Sequence, residues 1–294
     1  MAKYVINEAF LQQVETLQTV LKNNVGGMFG GNRQSKNYGS SCEFADYRDY
    51  IDGDDIAKID WNIYARTEKL YMKLYLDERQ MHTRIYIDAS HSMEYGDVKK
   101  ADQALRLAAT VAYLSICEMD KVSVYAIREK EAVEVIGGIV GKEAYLNEIH
   151  KLNEIEFTGD SYISEAILPS KVGRGDGLSV IISDFLTDNN FEDAIDFLAD
   201  RRRDVLCMQV LTREEINPQL RGKMHLFDSE NADRYYRKNI DREIAKAYKE
   251  ALRYATERIK NYCMARGGDY MRVTAEDSIS EIFFGKLVNM GVLK

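Results

Sequence analysis

The 294-residue sequence predicts an α/β fold: a doubly wound, mostly parallel sheet with one antiparallel hairpin strand, preceded by an N-terminal helix and extension. Three observations carry this. From residue 83 onward, short runs rich in Val, Ile and Leu alternate with longer stretches at helical spacing, the rhythm of strands joined by crossover helices. Two of those runs, Leu178-Ser-Val-Ile-Ile-Ser183 and Val205-Leu-Cys-Met-Gln-Val-Leu211, have few polar interruptions, as strands covered on both faces do. With 45% hydrophobic residues, the chain has enough apolar material to bury such a sheet.

The elements follow in order. Phe10, Leu11, Val14, Leu17 and Leu21 recur at helical spacing and predict an amphipathic helix from Asn7 to Leu21. The glycines between Gly26 and Gly31 end it, and a polar segment runs on through Tyr38. Residues 43–80 crowd charges among aromatics and read as turns and a short helix, then a strand near Leu70 to Leu76. Trp61, Tyr47, Tyr50 and Tyr64 read first as core, where aromatics usually lie, with a partner surface as the alternative. The acids Glu43, Asp46, Asp49, Asp52, Asp54, Asp55 and Asp60, with Arg48, Lys58 and Arg66, could form a network packing this segment, whose role the sequence leaves open, onto the sheet.

Arg84 to Asp88 is the first strand of the sheet, and Lys99 to Cys117 a helix apolar on most faces. Val122–Ile127 and Ala132–Ile136 flank a charged turn and read as a hairpin. Lys142 to Leu152 is helical, Leu178 to Ser183 a strand, Phe191 to Arg201 a helix and Val205 to Leu211 a strand. Arg201-Arg-Arg203 reads as a solvated helix end, favourable against the dipole. A long helix from Asp241 to Cys263 stops at Gly267-Gly268, a last strand spans Asp269 to Val273, and a short helix around Ser278 to Asn289 closes the chain. Two units are expected: residues 1–80, carrying the helix, the linker and the charged segment, and residues 81–294, the α/β domain.

Composition narrows the function. Lys and Arg number 40 against 48 Asp and Glu, a net charge of −8, which argues against a dedicated nucleic-acid binder. The N-terminal residues lack a signal-peptide pattern. The most apolar stretch, Leu105 to Cys117, is broken by Arg106 and too short to span a bilayer, so no membrane anchor is expected. Cys42, Cys117, Cys207 and Cys263 form no Cys-x-x-Cys pair, which disfavours zinc ribbons and disulfide frameworks and fits a cytoplasmic protein.

Two strand ends carry the chemistry. The first continues as Asp88-Ala-Ser90-His-Ser92, placing a carboxylate and two hydroxyls on alternate residues that can aim at one point. The strand at Val180 ends in Ser183-Asp184, a second carboxylate at the edge where open α/β sheets bind ligands. Between them, Thr158-Gly-Asp-Ser161 leads hydroxyls into a helix. An Asp or Ser at a strand end also serves as a helix cap, but the triple alternation together with Asp184 points to a metal site. Oxygen ligands of mixed charge suit Mg²⁺ or Mn²⁺ rather than zinc. With hydroxyls bound directly and the carboxylates acting through water, such an ion keeps much of its charge and is completed by an acidic group from elsewhere. No Gly-x-Ser-x-Gly elbow is present, and His91, the one histidine in the loop, reads as a surface or capping residue. A metal-dependent hydrolase of phosphate esters is the competing reading, without an evident nucleophile or base.

The Asp88, Ser90, Ser92 pattern resembles the metal-ion-dependent adhesion site of von Willebrand factor A domains, in which Asp-x-Ser-x-Ser is followed by a Thr and then an Asp. The likeness puts Asp184 at the last position and Ser161 at the Thr position, with Thr158 as its competitor. The run from Ser41 to Tyr50, with Gly53-Asp-Asp55, Ile59-Asp-Trp61 and Tyr64-Ala-Arg-Thr67, resembles the bacterial domain of unknown function 58 family, which is von Willebrand factor A-like. The resemblance covers about residues 38 to 290. Many members resemble membrane proteins with two N-terminal transmembrane helices, a feature not expected here. The resemblance implies no enzymatic activity; it implies a metal-dependent adaptor associated with AAA+ ATPases of the MoxR type.

Overall fold

A computed structural model describes residues 5–25, 44–75, 80–169, 177–186, 190–218, 222–227, 235–240 and 242–287. The glycines at 26–31, the polar segment to Tyr38, residues 41–43, and the expected ends at Leu76, Asp241 and Asn289 lie outside these residues.

The chain begins with α1 (Glu8–Val25), β1 (Phe44–Asp49), α2 (Trp61–Thr67) and β2 (Tyr71–Tyr75). The main domain continues with β3 (His82–Asp88), α3 (Lys100–Cys117), β4 (Lys121–Arg128), β5 (Glu131–Ile139), α4 (Lys142–Glu148), α5 (Ile163–Ile167) and β6 (Leu178–Ser183). It ends with α6 (Glu192–Asp200), β7 (Asp204–Leu211), α7 (Arg213–Ile216), β8 (Gly222–Phe227), β9 (Tyr235–Ile240), α8 (Arg242–Ala265), β10 (Asp269–Thr274) and a π-helical turn, Glu281–Leu287.

Six strands form one sheet in the order β10-β7-β6-β3-β4-β5, parallel throughout except β5, which pairs antiparallel with β4. This is the doubly wound α/β class the sequence predicts. The two-residue period of each strand divides its side chains between two cores. On β3, Ile85 and Ile87 join α1, α3 and α4 on one face, while Tyr86 joins α5, α6 and α8 on the other. α3 is buried nearly all round, because the sheet lies on one side and α1 and α4 on the other; its Ala101, Ala104, Ala108, Ala109 and Ala112 let the backbones approach closely. α1 contributes Phe10, Val14 and Leu17 to that first core, so the N-terminal helix is part of the layer over the sheet.

The observed boundaries depart from expectation in identifiable places. The helix expected over 142–152 tightens after Glu148 into a 3₁₀ turn, Ile149–Glu154. The β8–β9 hairpin, with register Gly222↔Ile240 to Phe227↔Tyr235, occupies a stretch where no element was expected. Residues 44–49, expected as turns, form β1 and pair antiparallel with β2.

The Phe44–Tyr75 segment corrects a second expectation. Trp61 is 55% exposed, and Tyr47 and Tyr64 are exposed with it. The inside of this small unit is taken by Ile59 and Met72, which meet across a bridge, and among the described residues its two strands and one short helix supply no second layer under which to place an indole. Two ion pairs lie within the segment. Asp60 caps α2 and pairs with Lys73 at 3.2 Å, and Asp54 pairs with Arg48 at 2.7 Å. Arg203 is a third correction: far from being solvated, it is buried at the amino end of the sheet.

Candidate metal-binding site

The chain leaves β3 toward β4 on one side, while β6 returns on the other, so the crevice beyond β3 and β6 is the topological switch point. Three loops meet there. The first starts at Asp88, the last residue of β3. Its course is fixed by Ala89 N–H donating to the Ile127 carbonyl at 3.0 Å and by Met93, fully buried under a 3₁₀ turn, His91–Glu94. Ser90 N–H folds back to donate to Asp88 Oδ1 at 3.0 Å. The second loop runs alongside, with Thr158 N–H donating to Ala89 O and His91 N–H donating to Gly159 O, both at 2.9 Å. The third follows β6, where Phe185 takes a left-handed backbone (φ 52°) and lets its N–H donate to Ser183 Oγ at 2.9 Å.

These loops bring together all five side chains singled out in the sequence. Ser90 Oγ lies 3.1 Å from Ser92 Oγ, and Ser92 Oγ donates to Asp184 Oδ2 at 2.9 Å. The Ser161 hydroxyl bonds to the Asp88 carboxylate. Asp88, Ser90, Ser161 and Asp184 are buried, and Ser92 is half-buried. Of the two candidates in the second loop, Ser161 reaches the cluster; Thr158 is exposed and contributes its backbone.

Sequence reasoning missed three participants. Ser183 donates to Asp88 Oδ2 at 2.5 Å and so ties the two strand ends together. Lys100, 1% exposed, places its ammonium 2.6 Å from Asp184 Oδ2 and 2.7 Å from Glu215 Oε1. Glu215 is itself fixed in a capping box, its Oε2 accepting from Thr212 N–H at 2.7 Å. One signal was present. A lysine in the first turn of an apolar helix opposes the helix dipole, so it needs an anionic partner elsewhere.

The electrostatics are those of a site short of positive charge. Burial, and then the neighbouring Asp184, push the Asp88 carboxyl above its ordinary range, against hydrogen bonds from Ser183, Ser90 and Ser161 that pull it down. Burial works against the Lys100 ammonium, but Asp184 and Glu215 outweigh it and raise its pKa above the ordinary value.

The donor set suits a hard divalent cation. Among the described residues, no group of three or more His, Cys, Asp and Glu side chains gathers as a metal site. What gathers instead is two carboxylates, Asp88 and Asp184, and four serine hydroxyls, those of Ser90, Ser92, Ser161 and Ser183. An octahedral ion with oxygens at about 2.1 Å places adjacent ligands about 3 Å apart; the Ser90–Ser92 and Ser92–Asp184 separations are 3.1 and 2.9 Å.

Fold and site together define a doubly wound α/β domain with an oxygen-lined crevice at its switch point. The sequence matches the family described as "Protein of unknown function DUF58" over residues 46–258, and the chain belongs to that family. Among curated proteins it is similar to "Uncharacterized protein Rv1480" of Mycobacterium tuberculosis, 25% identical over 74% of this chain and 70% of that one. Among solved structures it is similar to BatB from Bacteroides thetaiotaomicron, at 16% identity over 72% of this chain and 98% of that one, with a TM-score of 0.42. The SpRpn10 VWA domain is similar at 10% identity over 72% and 95% of the two chains, with a TM-score of 0.38. Among the described residues, no helix is long and apolar enough to cross a membrane.

Proposed function

We propose that the chain is a non-enzymatic, metal-dependent protein-interaction module, an adaptor working in the cytoplasm. In this reading Ser90, Ser92 and Ser161 hold Mg²⁺ or Mn²⁺, and Asp88 and Asp184 orient those hydroxyls and the bound water. One observation supports it above the rest: five oxygen-bearing side chains from three loops converge at the switch point, with Ser90, Ser92 and Asp184 at ligand-like separations. The ion would supply Lewis-acid attraction for a carboxylate. Ser92, half-buried where Asp88, Ser90, Ser161 and Asp184 are buried, would be the side from which a partner approaches. The partner would then be a protein offering an Asp or Glu side chain. The family resemblance makes a MoxR-type AAA+ ATPase the partner class to try first, in a chaperone-like or complex-assembly role.

The test is a pull-down with the full chain in Mg²⁺, in Mn²⁺ and in EDTA. Capture of the ATPase should be lost in EDTA and in Ser92→Ala, whose circular dichroism should remain that of the wild type. Binding that survives both would remove the metal's role. A phosphate-ester assay with Mn²⁺ addresses the hydrolase reading: turnover that disappears in Asp184→Ala would favour the enzyme over the adaptor.

A further inference from the structure

We propose that Lys100 is the site's resident counter-cation, and that its ammonium and a divalent ion compete for Asp184. This rests on the metal-binding reading above and concerns what sets the strength of that binding.

Asp184 Oδ2 is shared. It accepts the Ser92 hydroxyl at 2.9 Å, a member of the candidate ligand set, and the Lys100 ammonium at 2.6 Å. A divalent ion held by Ser90 and Ser92, with the Asp184 carboxylate balancing its charge through Ser92 and bound water, would therefore stand within a few ångströms of a buried positive charge. Repulsion between like charges is weakly screened where both are out of water. The ammonium has somewhere to go. Glu215 Oε1 already holds it at 2.7 Å, and Glu215 is anchored through its other oxygen to Thr212 N–H, so Lys100 can give up Asp184 and stay paired. In the absence of metal the same lysine keeps Asp184 from facing Asp88 uncompensated. Its position fits this duty better than helix stability, since a cation in the first turn of α3 works against the helix dipole.

The experiment is calorimetric titration of the full chain with Mn²⁺ and Mg²⁺, comparing wild type, Lys100→Gln and Glu215→Gln, each checked for fold by circular dichroism. Lys100→Gln should bind the ion at least tenfold more tightly, because the competitor is gone. Glu215→Gln should bind it severalfold more weakly, because the ammonium then leans on Asp184 alone. A purely structural role for Lys100 would weaken binding in both. If folded Lys100→Gln binds no more tightly than wild type, while wild type binds, the competition is overturned and the metal reading stands. If neither wild type nor variant binds, the metal reading fails and the competition with it. Should Lys100→Gln not fold, Glu215→Gln decides, and unchanged or tighter binding there overturns the proposal.

Discussion

The two ends of the central sheet both bury polar side chains, and they do so in opposite ways. At the amino end, Arg203 donates to Ser179 Oγ at 2.6 Å, to Leu178 O at 2.7 Å and to His82 O, while the His82 ring pairs with Ser123 Oγ at 2.9 Å. These hydrogen bonds go to neutral acceptors. Burial, first of all, lowers Arg203 to about 10 and His82 to about 4, the latter helped by Arg84, Arg203 and Lys121. At the carboxyl end, Asp184 and Glu215 share the Lys100 ammonium, while Asp88, beside Asp184, is met by serine hydroxyls and a backbone N–H. The first arrangement is hydrogen-bonded throughout and holds strands together. The second holds more negative than positive charge, as a place meant to receive a cation would. Buried polarity is common to both ends; the unbalanced charge at the switch point is what makes the carboxyl end the candidate site.

The largest expected effect lies at the amino end. Arg203→Met strands two buried acceptors and a half-buried one, the buried ones at roughly 1–3 kcal/mol each, so urea denaturation should show a loss of about 3 kcal/mol or more. Mg²⁺ binding in the remaining folded protein should be unaffected. The packing there is tight: a Cβ on Gly177 would stand 2.6 Å from the His82 carbonyl, on backbone that cannot yield cheaply.

A smaller effect separates the ends by pH. His82 has a folded pKa below its unfolded one, so the unfolded chain takes up the proton first as pH falls. Its contribution is present above about pH 6.5 and is lost as pH falls toward about 4. Allowing for the ring's half-exposure, that amounts to on the order of 1–2 kcal/mol. The difference in stability between wild type and His82→Gln should narrow over that window, and a difference that does not change with pH would remove His82 as the titrating group.

The smallest effect has the opposite sign. Asp88 has its folded pKa raised, so its ionised form costs stability as pH rises through and above the carboxylate range. In EDTA at neutral pH, Asp88→Asn should melt no lower than wild type, with a gain on the order of 1 kcal/mol at most. The rise in Tm that Mg²⁺ gives the wild type should vanish. A substantial loss of stability would mean that the carboxylate is a structural acceptor like those at the amino end.

Much of the sheet was legible because its strands are buried on both faces and so appear as continuous apolar runs; Leu178–Ser183 fell on the observed strand. Asp88, Ser90, Ser92 and Asp184 were legible because alternation and strand-end position are local properties. Lys100 and Glu215 were not, since their pairing joins residues 115 apart in sequence and depends on how α3 and α7 meet the strand ends. Trp61 was misplaced for a related reason. A preference for burial presumes a layer to bury under, and the two-stranded Phe44–Tyr75 unit covers Ile59 and Met72 but leaves Trp61, Tyr47 and Tyr64 exposed. The β8–β9 hairpin lacks the strongly apolar alternation that identifies a core strand, so its pairing was invisible until the register was seen.

Titrating the intact chain with Mn²⁺ in a calorimeter puts the matter to the most direct trial. Saturable heat corresponding to one ion per chain, absent in Ser92→Ala and Asp184→Asn, is the outcome expected of a charge-deficient crevice at the β3–β6 switch point. A well-folded wild type that gives no heat, or equal heat from all three proteins, would contradict it.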